Sequence, residues 1–375
     1  MSADPTRRRL PRRAWAAAIA VAALSVPGAV YGLTAHPGSA PRTVEVGASA
    51  ASTPGTDYHA YVTAIGNNLV EFDTASGSLL ALLNVPRNPV GSAVLDSPIG
   101  IAATPDGSQV FVADEGKYNV LAVNTTTNAS TDIELGGGGF PQDVAVSPDG
   151  STVYATVTGP PNTGPGGPHQ LAVLSTATDT VTGHINVDDS PRQVVFSPDG
   201  RRAYVTTEGS IDVVDTAAGR LVASIRDRSP GGPQDLAISP DGTTVYATNP
   251  VAGTLFEIST ASNRLKSVLS AGDEPYAVAV SPDSKSVYVT DMNSNSVRVI
   301  NAATHKTITN VTVQGLPASL AFTPDNSELW VGDVLTGNVS VIDPTINTVS
   351  RTVTAGLPAQ ETIDAAPIGF AFVKA

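Results

Sequence analysis

The chain has 375 residues, no cysteine, and a formal net charge of −13 from 21 basic and 34 acidic side chains. Disulfides, thiolate metal sites and thioether haem attachment are excluded, and the acidic balance repels nucleic acid and anionic lipid rather than binding them. A chain of this length can bury a large core.

Residues 1–35 open with Arg7, Arg8, Arg9, Arg12 and Arg13, continue through the apolar run Trp15 to Leu24, and leave through small residues up to Ala35. A basic segment, an apolar segment and a small-residue exit predict an export signal, cut after Leu33-Thr34-Ala35. The alternative is an uncleaved anchor, since Trp15 to Ala35 is 21 residues long and largely apolar. Arg7-Arg8 and Arg12-Arg13 both fit a loose twin-arginine motif, and the general secretory route stays open. Either way the protein is expected outside the cytoplasm, secreted or tethered. Residues 36–57, rich in Ala, Ser, Pro, Gly and Thr, predict a flexible linker. Five arginines and Asp4 fall within residues 1–35, so the remainder carries 16 basic and 33 acidic residues, a net charge of −17.

From residue 58 to the end the chain repeats. Ser-Pro-Asp-Gly turns centre on Pro148, Pro198 and Pro240, with variants at Pro105, Pro282 and Pro324, spaced 42 to 50 residues apart. An aromatic recurs beside them at Tyr61, Phe111, Tyr154, Tyr204, Tyr246, Tyr288 and Trp330. Seven copies of a 42-residue unit mark a repeat architecture. In one unit, Leu236-Ala237-Ile238 precedes the turn Ser239-Pro240-Asp241-Gly242, in which proline presets the second position and glycine closes the turn. Thr244 to Thr248 then reads as a β-branched and aromatic strand, Leu255 to Ile258 as a third, and Arg264 to Ser270 as a fourth. Four strands with short turns cannot hide both faces of their sheet, so seven such sheets stack radially. The predicted fold is all-β: a seven-bladed β-propeller of four-stranded antiparallel blades. Its ends are permuted, because the repeat enters at Ala60 to Thr63 and stops at Pro367 to Val373, which matches Pro233 to Ile238. The C-terminal strand is therefore expected to complete the first blade as its innermost strand and to remove the open edge.

The unit resembles the YVTN family of β-propellers, most plainly at residues 197–225, SPDGRRAYVTTEGSIDVVDTAAGRLVASI, and the resemblance spans residues 58–375. It implies an exported surface or periplasmic propeller. It says little about activity, because unrelated functions are grafted on this fold.

Successive strands alternate direction, so loops sort by face. The Ser-Pro-Asp-Gly and Asp-Thr-Ala turns share one rim and keep their lengths. Insertions at 86–97, 157–169 and 357–366 fall on the other rim, where binding sites of repeat proteins collect. There the residue after each inner-strand proline is Ile99, Gln142, Arg192, Gln234, Tyr276, Ala318 and Ile368 in turn. Loops after the aromatic strands add Asp114, Glu115, Glu208, Asn249, Asp291 and Asp333, and His169 lies in the lengthened loop. The candidate site is thus Gln142, Arg192, Gln234, Tyr276, Asp114, Glu208, Asp291, Asp333 and His169, a funnel suited to a small polar ligand or an envelope protein. Carboxylates and amides in loops also cap turns, so each has a purely structural alternative.

The five histidines stand singly, and no nucleophile elbow, phosphate loop or calcium loop is present, so neither metal nor cofactor is expected. The leading expectation is a monomeric, non-catalytic binding or scaffold ring of the cell envelope. The alternatives are a hydrolase of the seven-bladed lactonase type, using Glu208, Arg192 and His169 with water as nucleophile, or a propeller subunit of a periplasmic redox enzyme. Replacing Arg7, Arg8, Arg9, Arg12 and Arg13 with alanine should abolish export, measured by fractionating expressing cells. Undiminished export would show that this head is not the targeting signal.

Overall fold

The computed structural model describes residues 58–64, 68–84, 98–136, 139–159, 169–226, 229–354 and 367–375. The expected export segment and linker, and most of the three insertions, lie outside the described residues.

Seven four-stranded antiparallel sheets are present. The unit read above becomes Leu236–Ile238, Thr244–Asn249, Thr254–Ser259 and Arg264–Ser270, running from the inside outward. Each inner strand touches the inner strands of the blades before and after it, closing a ring. Closure is as expected: Pro367–Lys374 pairs antiparallel with Tyr58–Ala64, placing Tyr58 opposite Lys374 and Tyr61 opposite Ala371. We number that blade one, so blade two begins at Pro98, blade three at Phe140 and blade seven at Pro317.

The core is divided into seven clusters, and each straddles two neighbouring blades. The recurring aromatic explains this. Tyr61 joins the cluster shared with blade two, Tyr154 that with blade four, and Trp330 that with blade one, so each ring is buried against the blade that follows. Second strands are accordingly buried along their length, as in Thr244–Asn249, whereas the outer strand Arg264–Ser270 alternates between exposed and half-buried. Removing one such buried ring costs about 3–5 kcal/mol. Polar tips extend the seam. The Tyr288 hydroxyl donates to Asn347 Oδ1 at 2.8 Å, in the third-to-outer turn of the next blade. Trp330 lies edge-on to Phe370 and Phe372 of the closing strand, with the Arg351 guanidinium 5.9 Å above its ring.

The Ser-Pro-Asp-Gly turns carry their own locks. Ser147 Oγ donates to Asp149 Oδ1 at 2.6 Å and Gly150 N to Ser147 O at 2.8 Å. The hydrogen bond from Ser147 leads those that hold Asp149 below the usual carboxylate range. Gly150 sits at φ 74°, and a Cβ there would come within 3.2 Å of Pro105, so each turn stacks on the proline of the turn before it. At the ring's junction Gly107 instead packs against Val373 and the backbone of Lys374. Both ends of the ring therefore lie on the Ser-Pro-Asp-Gly rim.

Deleting Gly369–Ala375 removes Phe370 and Phe372 from one seam and Ala371 and Val373 from the next. Loss of the two phenylalanines alone should cost about 6 kcal/mol or more, comparable to the whole stability of a domain. The truncated chain should fail to give a cooperative melt in calorimetry; melting at the full-length temperature would contradict this account of closure.

Candidate functional site

The second-strand threonine, two residues after the aromatic, sets the backbone at the inner-strand mouths. Thr156 Oγ1 accepts from Asp143 N at 2.9 Å within its blade and donates to Arg192 O at 2.8 Å in the next. Thr206 does the same for Gln193 N and Gln234 O, and Thr248 for Asp235 N and Tyr276 O. Thr63 Oγ1 donates to Ile99 O at 2.9 Å. One hydroxyl thus joins two blades and fixes the residue after the proline. Arg192 N and Gln234 N are bonded in turn to Thr206 O and Thr248 O, each at 2.8 Å.

On this frame three candidates, from blades four, five and six, form one chain. Arg192 Nη1 donates to Gln234 Oε1 and Gln234 Nε2 donates to the Tyr276 hydroxyl, both at 3.2 Å. Gln234 therefore spends its oxygen on the cation and its amide on the phenol, which leaves the Tyr276 O–H free to donate. Burial pushes that phenol up to about 12, against the pull of Arg192, so it stays protonated. Among the described residues no carboxylate lies within ion-pair distance of Arg192. The acids that follow Gln142 and Gln234 in sequence serve the backbone: Asp143 Oδ2 accepts from Val194 N at 2.9 Å and Asp235 Oδ2 from Val278 N at 2.8 Å, each bridging to the following blade. Burial pushes both acids up to about 7, against those backbone donors. Asp143 also fills the space above Gly100, where a Cβ would come within 2.2 Å of its carboxylate.

Gln142, the next candidate in the arc, donates through Nε2 to Glu115 Oε1 at 3.1 Å. Glu115 is 4% exposed, and its other oxygen has no hydrogen-bond partner. Burial pushes it up to about 7, opposed by Gln142 and aided by the charge of Asp114. That second oxygen is itself shielded from solvent, and a buried carboxyl left without a partner and pushed towards neutrality marks a candidate functional group.

The remaining candidates are placed differently. Asp114 Oδ1 accepts from Gly116 N and Lys117 N, and Asp291 Oδ1 from Ser294 N, so both cap the turn after their strand. Asp333 accepts from Ser340 Oγ at 2.5 Å and burial pushes it up to about 6. His169 Nδ1 accepts from Ser190 N at 3.2 Å, and Glu208 is exposed. Among the described residues no hydrogen bond or ion pair joins Glu208 or His169 to Arg192. Sequence reasoning noted Glu115 in its loop but left it out of the site, because nothing in the sequence marks its burial. The threonine role was missed as well, although recurrence at Thr63, Thr156, Thr206, Thr248 and Thr290 was a signal for it.

Neither of two concavities among the described residues is lined by Gln142, Arg192, Gln234 or Tyr276. A cavity of about 20 Å³ between blades four and five, near Ser210 and Arg226, has room for little more than one water. A cleft of about 330 Å³ near Asp106 and Asp149 lies on the Ser-Pro-Asp-Gly rim, where both carboxylates are taken up by their own turns. The chemistry, not the cavity size, selects the arc.

Residues 172–314 match a family described as "Lactonase, 7-bladed beta-propeller". That family is an enzyme family. The expectation of a non-catalytic binding or scaffold ring is overturned by this match, which spans the segment holding Arg192, Gln234 and Tyr276. The arc's polar groups Arg192, Gln234 and Tyr276 come one per blade, 42 residues apart, so no contiguous motif marks them. Among solved structures, the chain is similar to "Kuenenia stuttgartiensis Hydrazine Synthase" at 25% identity and a TM-score of 0.58, over 68% of this chain and 80% of that one. A functionally unknown protein from Desulfotomaculum acetoxidans shares the fold at 16% identity and a TM-score of 0.68, over 85% and 99% of the two chains. No curated protein is significantly similar.

Asp143 and Asp235 give the ring a pH signature. Each keeps its proton to about pH 7 when folded, whereas the ordinary carboxyl value is 3.8. The folded state binds more protons between those values, so stability falls as pH rises through that window. The depressed turn aspartates act below it. Calorimetry from pH 4.5 to 8 should show a falling melting temperature, and Asp143→Asn, isosteric with the protonated acid, should flatten the fall. An unchanged slope in that variant would refute the assignment.

Proposed function

We propose that the protein is a hydrolase of the seven-bladed lactonase type that opens a cyclic ester at the mouth of the ring. The match over residues 172–314 carries the reading, because it covers the arc from Arg192 to Tyr276. Glu115 lies outside the matched segment and enters on its burial, its unpartnered oxygen and a pKa pushed up to about 7; that oxygen is shielded from solvent, so the scheme requires the side chain to turn towards the mouth when substrate and water arrive.

In this scheme Glu115 takes a proton from water as the water oxygen attacks the ester carbonyl carbon. Negative charge developing on the carbonyl oxygen is met by the Arg192 guanidinium and the Tyr276 O–H, both held in place by Gln234. Collapse of the adduct breaks the ring C–O bond, and Glu115 returns its proton to the leaving alkoxide. The product is a hydroxy acid whose carboxyl ionises at neutral pH. Asp143 and Asp235 hold the blades in register and take no proton in the reaction.

The YVTN-type repeats and the basic, apolar head support placing this activity outside the cytoplasm. The likeness to the hydrazine synthase chain favours a second reading, a propeller subunit of a redox assembly, in which the isolated chain would hydrolyse nothing.

A pH-stat assay with γ-butyrolactone tests the scheme. Activity should rise with pH through about 7 as Glu115 ionises. Glu115→Gln should lower kcat by about 10²–10⁴-fold, and Arg192→Gln by about 10²-fold. Wild-type protein inert towards lactones, or Glu115→Gln with near-normal kcat, would defeat the reading.

A further inference from the structure

The position after the inner-strand proline divides the mouth into two halves. Blades three to six carry Gln142, Arg192, Gln234 and Tyr276, whereas blades seven, one and two carry Ala318, Ile368 and Ile99. The three apolar positions are consecutive around the ring, since their inner strands touch in that order. Ile368 and Ile99 are only half-buried, although both sit on inner strands.

Backbone strain adds an independent observation. Most non-glycine residues at positive φ in this chain are Asn, Asp or Ser, which tolerate that region. Leu316 and Tyr118 are bulky exceptions on the mouth rim, at φ 49° and 62°. Leu316 immediately precedes Pro317 of blade seven. Tyr118, in the loop of blade two that holds Glu115, packs edge-on against Phe140 at the start of blade three, with ring centroids 4.9 Å apart. Leu316, Tyr118 and Phe140 are all half-buried. Asparagine or glycine would relieve the strain at either bulky residue, so retaining a large apolar side chain there points to a use for it.

We propose that this apolar arc, from Leu316 through Ala318, Ile368 and Ile99 to Tyr118 and Phe140, binds the aliphatic arm of an amphiphilic lactone whose polar end faces Arg192. This rests on the lactonase reading for the ester, while the pairing of an anionic or carbonyl group with an alkyl chain rests on the two arcs themselves. Among the described residues Arg192 has no carboxylate partner, and Glu115 stands at the border between the two halves, bonded to Gln142 on one side and sharing a loop with Tyr118 on the other.

Titration calorimetry with sodium butanoate and sodium decanoate tests the arc without requiring hydrolysis. Decanoate should bind at least tenfold more tightly than butanoate, because each buried methylene contributes to affinity. Arg192→Gln should weaken decanoate at least tenfold. Leu316→Asn, which relieves the backbone, should keep or raise the melting temperature yet reduce the chain-length advantage to less than threefold, and Ile99→Asn should reduce it likewise. Equal affinity for the two acids, or an advantage that survives both variants, would overturn the proposal. Comparing γ-butyrolactone with γ-decalactone in the pH-stat separates the two claims. Hydrolysis without chain-length preference removes the arc and leaves the hydrolase, whereas decanoate binding that needs Leu316, with no hydrolysis, removes the hydrolase and leaves the arc.

Discussion

A four-stranded blade has two faces to cover and too little chain to cover either, so everything in this molecule depends on the seam between neighbouring blades. Each seam is built the same way. An aromatic side chain from the second strand of one blade is buried against the next, and in most blades a hydroxyl two residues further along ties the backbone of that next blade. The first element contributes most of the stabilisation through burial. The second contributes little energy but much geometry, because it is a partly buried hydrogen bond that is satisfied in one arrangement of two inner strands. At the seams without that threonine, other groups substitute: Asp143 leans over Gly100, and Ser319 Oγ donates to Pro367 O at 3.1 Å.

That division of labour explains why the mouth is a good place for chemistry. The backbone of Arg192, Gln234 and Tyr276 is fixed by groups serving the seam, so side chains at this position can change without loosening the ring. Seven equivalent positions then become seven independent choices on one rigid circle, and the chain has made them unequally: amides, a cation and a phenol on one side, small and branched hydrocarbon on the other. Polar groups joined to one another by hydrogen bonds, as through the Gln234 amide, are oriented before any ligand arrives, which is the condition under which they stabilise developing charge most effectively.

The fold was legible because its cause is periodic. Prolines, aromatics and turn aspartates recur, and the recurrence alone located the blades, the permuted closure strand and the mouth positions. The candidate site was legible only in part, and the reason is chemical. Asp114 and Asp291 carry the same functional group as a ligand-binding acid, and their use as turn caps follows from which backbone N–H lies two or three residues on, not from their identity. Glu115 presents the opposite case: a glutamate in a loop looks solvated until the neighbouring blade covers it. Positive φ at Leu316 was equally hidden, since leucine gives no warning of a left-handed backbone.

The pairing of Tyr58 with Lys374 has a practical consequence. Both ends of the ring leave from the rim of proline turns, on the opposite side from the arc of Gln142, Arg192, Gln234 and Tyr276. A surface, a bead or a fused domain attached through either end is thus held on the rim of proline turns, and the candidate arc faces the other way.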